Sequence, residues 1–155
     1  MQTKTAKEII DTGFGFPVRL SHVPMIEVRG EWVPKLDYNK LAEQVLMLLS
    51  RLARPLTGHE VRFVRQHFNL TTTRFGAQFG LSHVAVLNWE KKGDKATDMQ
   101  WSNEKDLRLF IQTKLSNDPA EVGRLYRSLA PKPLIAADGK HPALGPIEAG
   151  HLATA

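Results

Sequence analysis

Residues 70–90 read LTTTRFGAQFGLSHVAVLNWE, and no other stretch of the chain restricts its fold as tightly. Thr71 is an N-cap residue followed by Phe75 and Phe79, one helical turn apart. Gly80 and Leu81 interrupt that pattern, and Ser82 then caps a second apolar stripe made by Val86 and Trp89. The spacing predicts a helix of about nine residues, a turn carrying Gly80-Leu81-Ser82, and a second short helix ending before Gly93: the layout of a helix-turn-helix. Gly76 is small where the first helix must approach the second. Phe75, Phe79, Leu81, Val86 and Trp89 make the wedge of core that fixes the angle between them.

The second helix has two faces. At about 100° per residue, Ala85, Val86 and Trp89 cluster on one side, and His83, Val84, Leu87, Asn88 and Lys91 on the other. The second set begins at the helix N-terminus, where a recognition helix enters the major groove. His83 and Asn88 can read base edges, and Val84 and Leu87 can contact a thymine methyl. Ser82, Lys91 and Lys92 lie where a backbone phosphate would pass. Thr71, Thr72 and Arg74 of the first helix offer further phosphate contacts, which position the protein without reading sequence.

Charge supports a polyanion partner. The whole chain has 21 basic and 16 acidic side chains. The excess is concentrated in residues 54–95, where Arg54, Arg62, Arg65, Arg74, Lys91, Lys92 and Lys95 stand against Glu60, Glu90 and Asp94. A local basic footprint of this kind releases counterions from a nucleic-acid backbone. Arg62 and Arg65, on the preceding helix, read as a solvated face.

The flanks are organised around this core. Residues 1–12 read as a short polar arm, and 16–36 as a β-hairpin turning at Arg29-Gly30. Pro17, Pro24 and Pro34 push its strands toward an edge or broken arrangement. Asp37 caps a helix reaching about Leu52, with Leu41, Val45, Leu48, Leu49 and Leu52 as its stripe. Thr57 and Glu60 form a capping box for the next helix, which buries Val61, Val64 and Phe68. Further helices are expected over roughly Asp98–Leu115 and from Asp118, with Pro119 at the first helical position. The expected divisions are an N-terminal arm, hairpin and helix (1–53), a DNA-binding domain (54–115), a C-terminal helix (116–130) and a flexible tail (131–155). The expected fold is mainly α, a lambda-repressor-like helix-turn-helix bundle with an N-terminal β-hairpin plus helix.

The 70–90 segment resembles the XRE/Cro–repressor family of helix-turn-helix domains. Leu70, Thr71, Phe75, Gly76, Phe79, Gly80, Leu81, Ser82, Val86, Trp89 and Glu90 match its pattern. Thr72 departs from it, since the family places there a Gln bridging phosphate and recognition helix. Leu87 departs too, at a position usually polar. Residues 56–111, opening LTGHEVRFVRQHFNLT, also resemble the DNA-binding domain of MqsA-type antitoxins and related regulators. Those proteins often carry an N-terminal cysteine-ligated zinc module, which a chain without cysteine cannot build.

The resemblance implies DNA binding and transcriptional control. One recognition helix reads few base pairs, so a homodimer on a pseudo-palindromic operator is expected, with helices about 34–36 Å apart. The alternative is an antitoxin whose main task is to bind a toxin protein, with the 16–52 region as docking surface. Catalysis is not expected: there is no G-x-S-x-G, P-loop or H-E-x-x-H, and Glu104 and Asp106 face different sides of a helix. No cofactor is expected. No metal site is expected either, because His59 and His67 are eight residues apart and His22, His141 and His151 have no ligand-spaced partner. Neither a signal peptide nor a run of transmembrane length is visible, so the expectation is a cytoplasmic, nucleoid-associated protein.

Overall fold

The computed structural model describes residues 2–129 and 143–154 of the chain. Its strands are β1 (Thr3–Asp11), β2 (Val18–Val28), β3 (Glu31–Pro34) and β4 (Leu144–Glu148). Its helices are α1 (Tyr38–Arg51), α2 (Gly58–His67), α3 (Thr72–Ala77), α4 (His83–Glu90), α5 (Trp101–Leu115) and α6 (Pro119–Ser128), and a 3₁₀ turn at Gly150–Leu152 follows β4. The chain divides into two compact units inside α1, between Val45 and Leu46. One takes in the residues up to Val45 together with 143–154, and the other runs from Leu46 to the end of α6.

The first unit is a four-stranded mixed sheet centred on β2. Strand β1 lies antiparallel along one edge of β2, from Asp11↔Val18 to Thr3↔Ile26. The other edge is shared: β4 runs parallel to Val18–Ser21, and β3 antiparallel to Met25–Val28. Arg29 and Gly30 both have positive φ, 53° and 83°, as the two-residue hairpin turn linking β2 to β3 requires. Pro24 sits where this second edge passes from β4 to β3. Its carbonyl accepts the Lys35 amide at 2.8 Å, and its missing N–H falls in the gap between the two partners. The prolines therefore do not break β2, which is the central strand.

Burial along β2 does not alternate evenly. Val18 and Leu20 are buried, then Val23 and Met25, so the inward phase slips by one residue at His22, which has φ 51°. Opposite them on β1, Ile9 and Ala6 are the inward residues, likewise three apart. Leu41, Val45, Leu144, Ile147, Ala149 and Leu152 complete the apolar core of this unit. The C-terminal segment is held by the Asp37 amide donating to the Leu152 carbonyl at 2.8 Å and by bridge pairing of Leu36 with Ala153.

These strands correct the expected fold class. A mainly α bundle with only a hairpin beside it is replaced by an α/β fold, with six α-helices and a four-stranded mixed sheet among the described residues. The expected polar arm is β1. The expected flexible tail supplies β4 and the 3₁₀ turn over 143–154, while residues 130–142 lie outside the described residues.

The second unit is helical. Leu46, Leu49, Leu56, Val61, Val64, Phe75, Val86, Leu107 and Ile111 are fully buried in it. The local signals act where they were expected. Asp37 Oδ1, in the first unit, accepts the Asn39 and Lys40 amides at the start of α1. At the start of α2, Glu60 donates its amide to Thr57 Oγ1 and accepts the Thr57 amide at its carboxylate. Asp118 caps α6 through the Ala120 amide, with Pro119 in the first turn.

A buried ionic cluster joins α5 to the chain leaving α1. Arg108 is fully buried; its guanidinium donates to the Leu52 carbonyl, to the Arg54 carbonyl at 2.6 Å and to Glu104 Oε2 at 3.4 Å. Glu104 Oε1 accepts the Leu56 amide at 2.7 Å, and Arg54 makes a two-pronged pair with Glu60 at 2.9 and 2.8 Å. Burial raises the Glu104 carboxyl above its ordinary range and lowers Arg108 below its own, in each case against the pull of the partner charge.

Candidate nucleic-acid interface

Helix α3 starts where Thr71 Oγ1 accepts the Arg74 amide at 3.1 Å. The turn that follows uses Gly80 at φ 69°, and the Leu81 amide donates back to the Gly76 carbonyl at 2.9 Å. A Cβ on Gly76 would lie 2.7 Å from the Leu81 carbonyl oxygen and 2.9 Å from that of Ser82. The two short helices thus meet at a position only glycine fills. Gly76→Ala is expected to lower stability by about 1–3 kcal/mol, because the atoms met are backbone and cannot rotate away; urea unfolding followed by circular dichroism measures it.

The inward side of α4 is fixed by packing. Val86 is fully buried and Trp89 nearly so. The Trp89 ring lies edge-on to Phe79 at 6.1 Å, and Phe79 lies edge-on to Phe75 at 5.2 Å. Phe110 of α5 closes the cluster against Phe68 at 5.4 Å and Phe75 at 6.3 Å. The end of α4 is pinned electrostatically. Arg65 of α2 holds Glu90 with two hydrogen bonds of 3.0 and 2.8 Å and donates a third to the Leu70 carbonyl. A Cβ on Gly58 would come within 2.6 Å of the Trp89 carbonyl oxygen, so α2 meets the end of α4 backbone to backbone.

What is left of α4 faces outward. His83, Val84, Leu87 and Asn88 are all exposed, Val84 at 51% and Leu87 at 41%. Large apolar side chains on a helix this solvated have no core to serve. Lys91, the C-cap residue, and Lys92 are exposed beyond them, and the Lys92 ammonium reaches Asp98 at 3.5 Å. Arg74 and Thr71 are exposed on α3 and its cap, while Thr72 is half-buried. Ser82 occupies the N-cap position of α4 without a side-chain capping bond, which leaves its hydroxyl open to an outside partner.

Two structural residues of the site were misread or unassigned from sequence. Arg65, expected on a solvated face, is only 15% exposed and bound to Glu90. Glu90 matched the motif without a role; its role is to receive Arg65, and Arg62 stands 3.9 Å away. The available signal was Glu90 itself, the one acid of α4, set immediately before Lys91 and Lys92. No group of three or more His, Asp or Glu placed to hold a metal exists among the described residues. No helix among them is long and apolar enough to cross a membrane.

Models of known protein families, curated proteins and solved structures give no match to this chain.

Proposed function

We propose that the chain is a sequence-specific double-stranded DNA-binding protein, a transcriptional regulator of repressor type that acts as a homodimer in the nucleoid. Helix α4 enters the major groove, where His83 and Asn88 read base edges and Val84 and Leu87 contact thymine methyls. Thr71, Thr72, Arg74, Ser82, Lys91 and Lys92 take the phosphates. The observation that carries this reading is the division of α4 into a locked face and an open one. Val86 is fully buried, Trp89 packs on Phe79 and Glu90 is held by Arg65 of α2, while the four candidate base-readers stand unengaged in solvent. A helix backbone fixed in this way loses little further conformational freedom when its outward face binds.

The roles separate in two variants. Asn88→Ala is expected to lower operator affinity by about 1–3 kcal/mol and to relax preference at one base position. Lys91→Ala is expected to weaken binding to every sequence alike and to reduce the salt slope by about one. Selection of binding sites from a random library by each variant tests both, and an unchanged site profile for Asn88→Ala removes that residue from the reading face.

A second reading has one observation in its favour. The sheet unit lies outside the helical unit that carries α4, and a separate module of this kind suits an antitoxin that docks a toxin protein. Co-expression with the product of the neighbouring reading frame, followed by co-purification, tests it: a stable stoichiometric complex supports the antitoxin reading.

A further inference from the structure

Strand β1 gives one edge to β2 and has no partner on the other among the described residues. Nine residues of strand present a row of backbone donors and acceptors about 30 Å long, which natural sheets normally guard. The charges on this edge are not a simple guard. They run Lys4, Lys7, Glu8, Asp11, so reversing the strand sets an acid wherever there was a base.

We propose that β1 is the homodimer interface, pairing antiparallel with β1 of a second copy of this chain about a two-fold axis between Lys7 and Glu8. This deepens the dimer named above by giving it a contact surface. In that register Lys7 faces Glu8 and Lys4 faces Asp11, each twice, as a two-fold interface demands. Moving the axis onto Lys7 or onto Glu8 sets like charges against each other. An axis on Ala6 or on Ile9 opposes only one kind of pair, Lys4 with Glu8 or Lys7 with Asp11, whereas the axis between Lys7 and Glu8 sets all four charges against their opposites. The backbone agrees. Ala6 and Ile9, the inward residues flanking the phase slip, face each other in this pairing, and both sheets keep their inward side chains on one face.

The central pair sets the register. Lys7 is exposed and makes no ion pair to a described residue, and Glu8 has only a 3.9 Å approach to Arg19. The outer pair is partly engaged within the chain: the Lys4 ammonium lies 4.3 Å from the Trp32 ring centroid, and Asp11 accepts the Gly13 amide at 2.7 Å.

The test is charge reversal in the full chain, read by sedimentation equilibrium without DNA. Wild type is expected to be a dimer. Lys7→Glu and Glu8→Lys, each placing like charges together twice, are expected to raise the dimer dissociation constant by roughly tenfold or more. The double variant with both changes is expected to return it toward the wild-type value. Both positions are exposed, and far-ultraviolet circular dichroism checks that the fold is kept. A monomeric wild type, or a dimer indifferent to the single reversals, overturns the interface. Base reading by α4 is then still decided separately by the Asn88 variant.

Discussion

Arg108→Met is expected to lower the stability of the fold by about 3–5 kcal/mol, because it leaves Glu104 as a buried charge without its partner. Glu104 is 3% exposed, and the Leu56 amide is its other hydrogen-bond donor. The Leu52 and Arg54 carbonyls lose their guanidinium donor in the same step. The loss carries a pH signature whose sign is fixed. Burial already raises the Glu104 pKa in the folded state, and removing Arg108 raises it further. A carboxyl of raised folded pKa binds its proton more tightly when folded. Its stabilising contribution is therefore present at low pH and lost as pH rises through the folded pKa. The stability difference between variant and wild type is thus expected to shrink on acidification and to widen toward neutral pH. Adding Glu104→Gln to the variant is expected to recover part of the loss at neutral pH, since an amide oxygen still accepts from Leu56 and no charge remains. Urea unfolding across a pH series measures both effects; a pH-independent loss contradicts the assignment to Glu104.

Phe75→Ala is expected to cost about 3–5 kcal/mol, the range for emptying a fully buried aromatic site. Phe75 is 0% exposed and lies at the centre of the ring cluster, edge-on to both Phe79 and Phe110. Its loss opens a cavity beneath the turn between α3 and α4. Phe75→Leu, which retains most of the volume, is expected to cost clearly less. Because Phe79 orients Trp89, the alanine variant is also expected to lose DNA affinity at temperatures where it is still folded. Thermal unfolding together with binding below the transition separates the two losses.

The helices that carry the candidate site were legible because their signals are local. A capping hydroxyl, a glycine at positive φ and an apolar stripe all act within one or two turns, and Thr57, Thr71 and Gly80 do what their neighbours require. The sheet was not legible, for the opposite reason. Strand β1 half-buries only Ala6, Ile9 and Asp11 among mostly polar, exposed residues, and the spacing of three between the two apolar ones matches no strand period. Strand β4 has just Leu144 and Ile147 buried among Gly and Pro, and its partner β2 lies more than a hundred residues earlier. Such pairing exists only once distant segments meet. Arg108 was missed because a base on a helix reads as solvated unless its carbonyl and carboxylate partners are known. At the site itself, the outward row of α4 was readable from angular spacing, whereas Arg65 bound to Glu90 needed the packing of α2 against α4.

The central claim, sequence-specific DNA binding through α4, is tested most directly by measuring how the purified chain binds a fragment of its own upstream region. Random DNA of equal length serves as reference, at two salt concentrations. The account predicts affinity for the specific fragment about 10³-fold or more above that for random DNA, with both falling as salt rises. Equal affinity for the two fragments, or no binding to either, contradicts it.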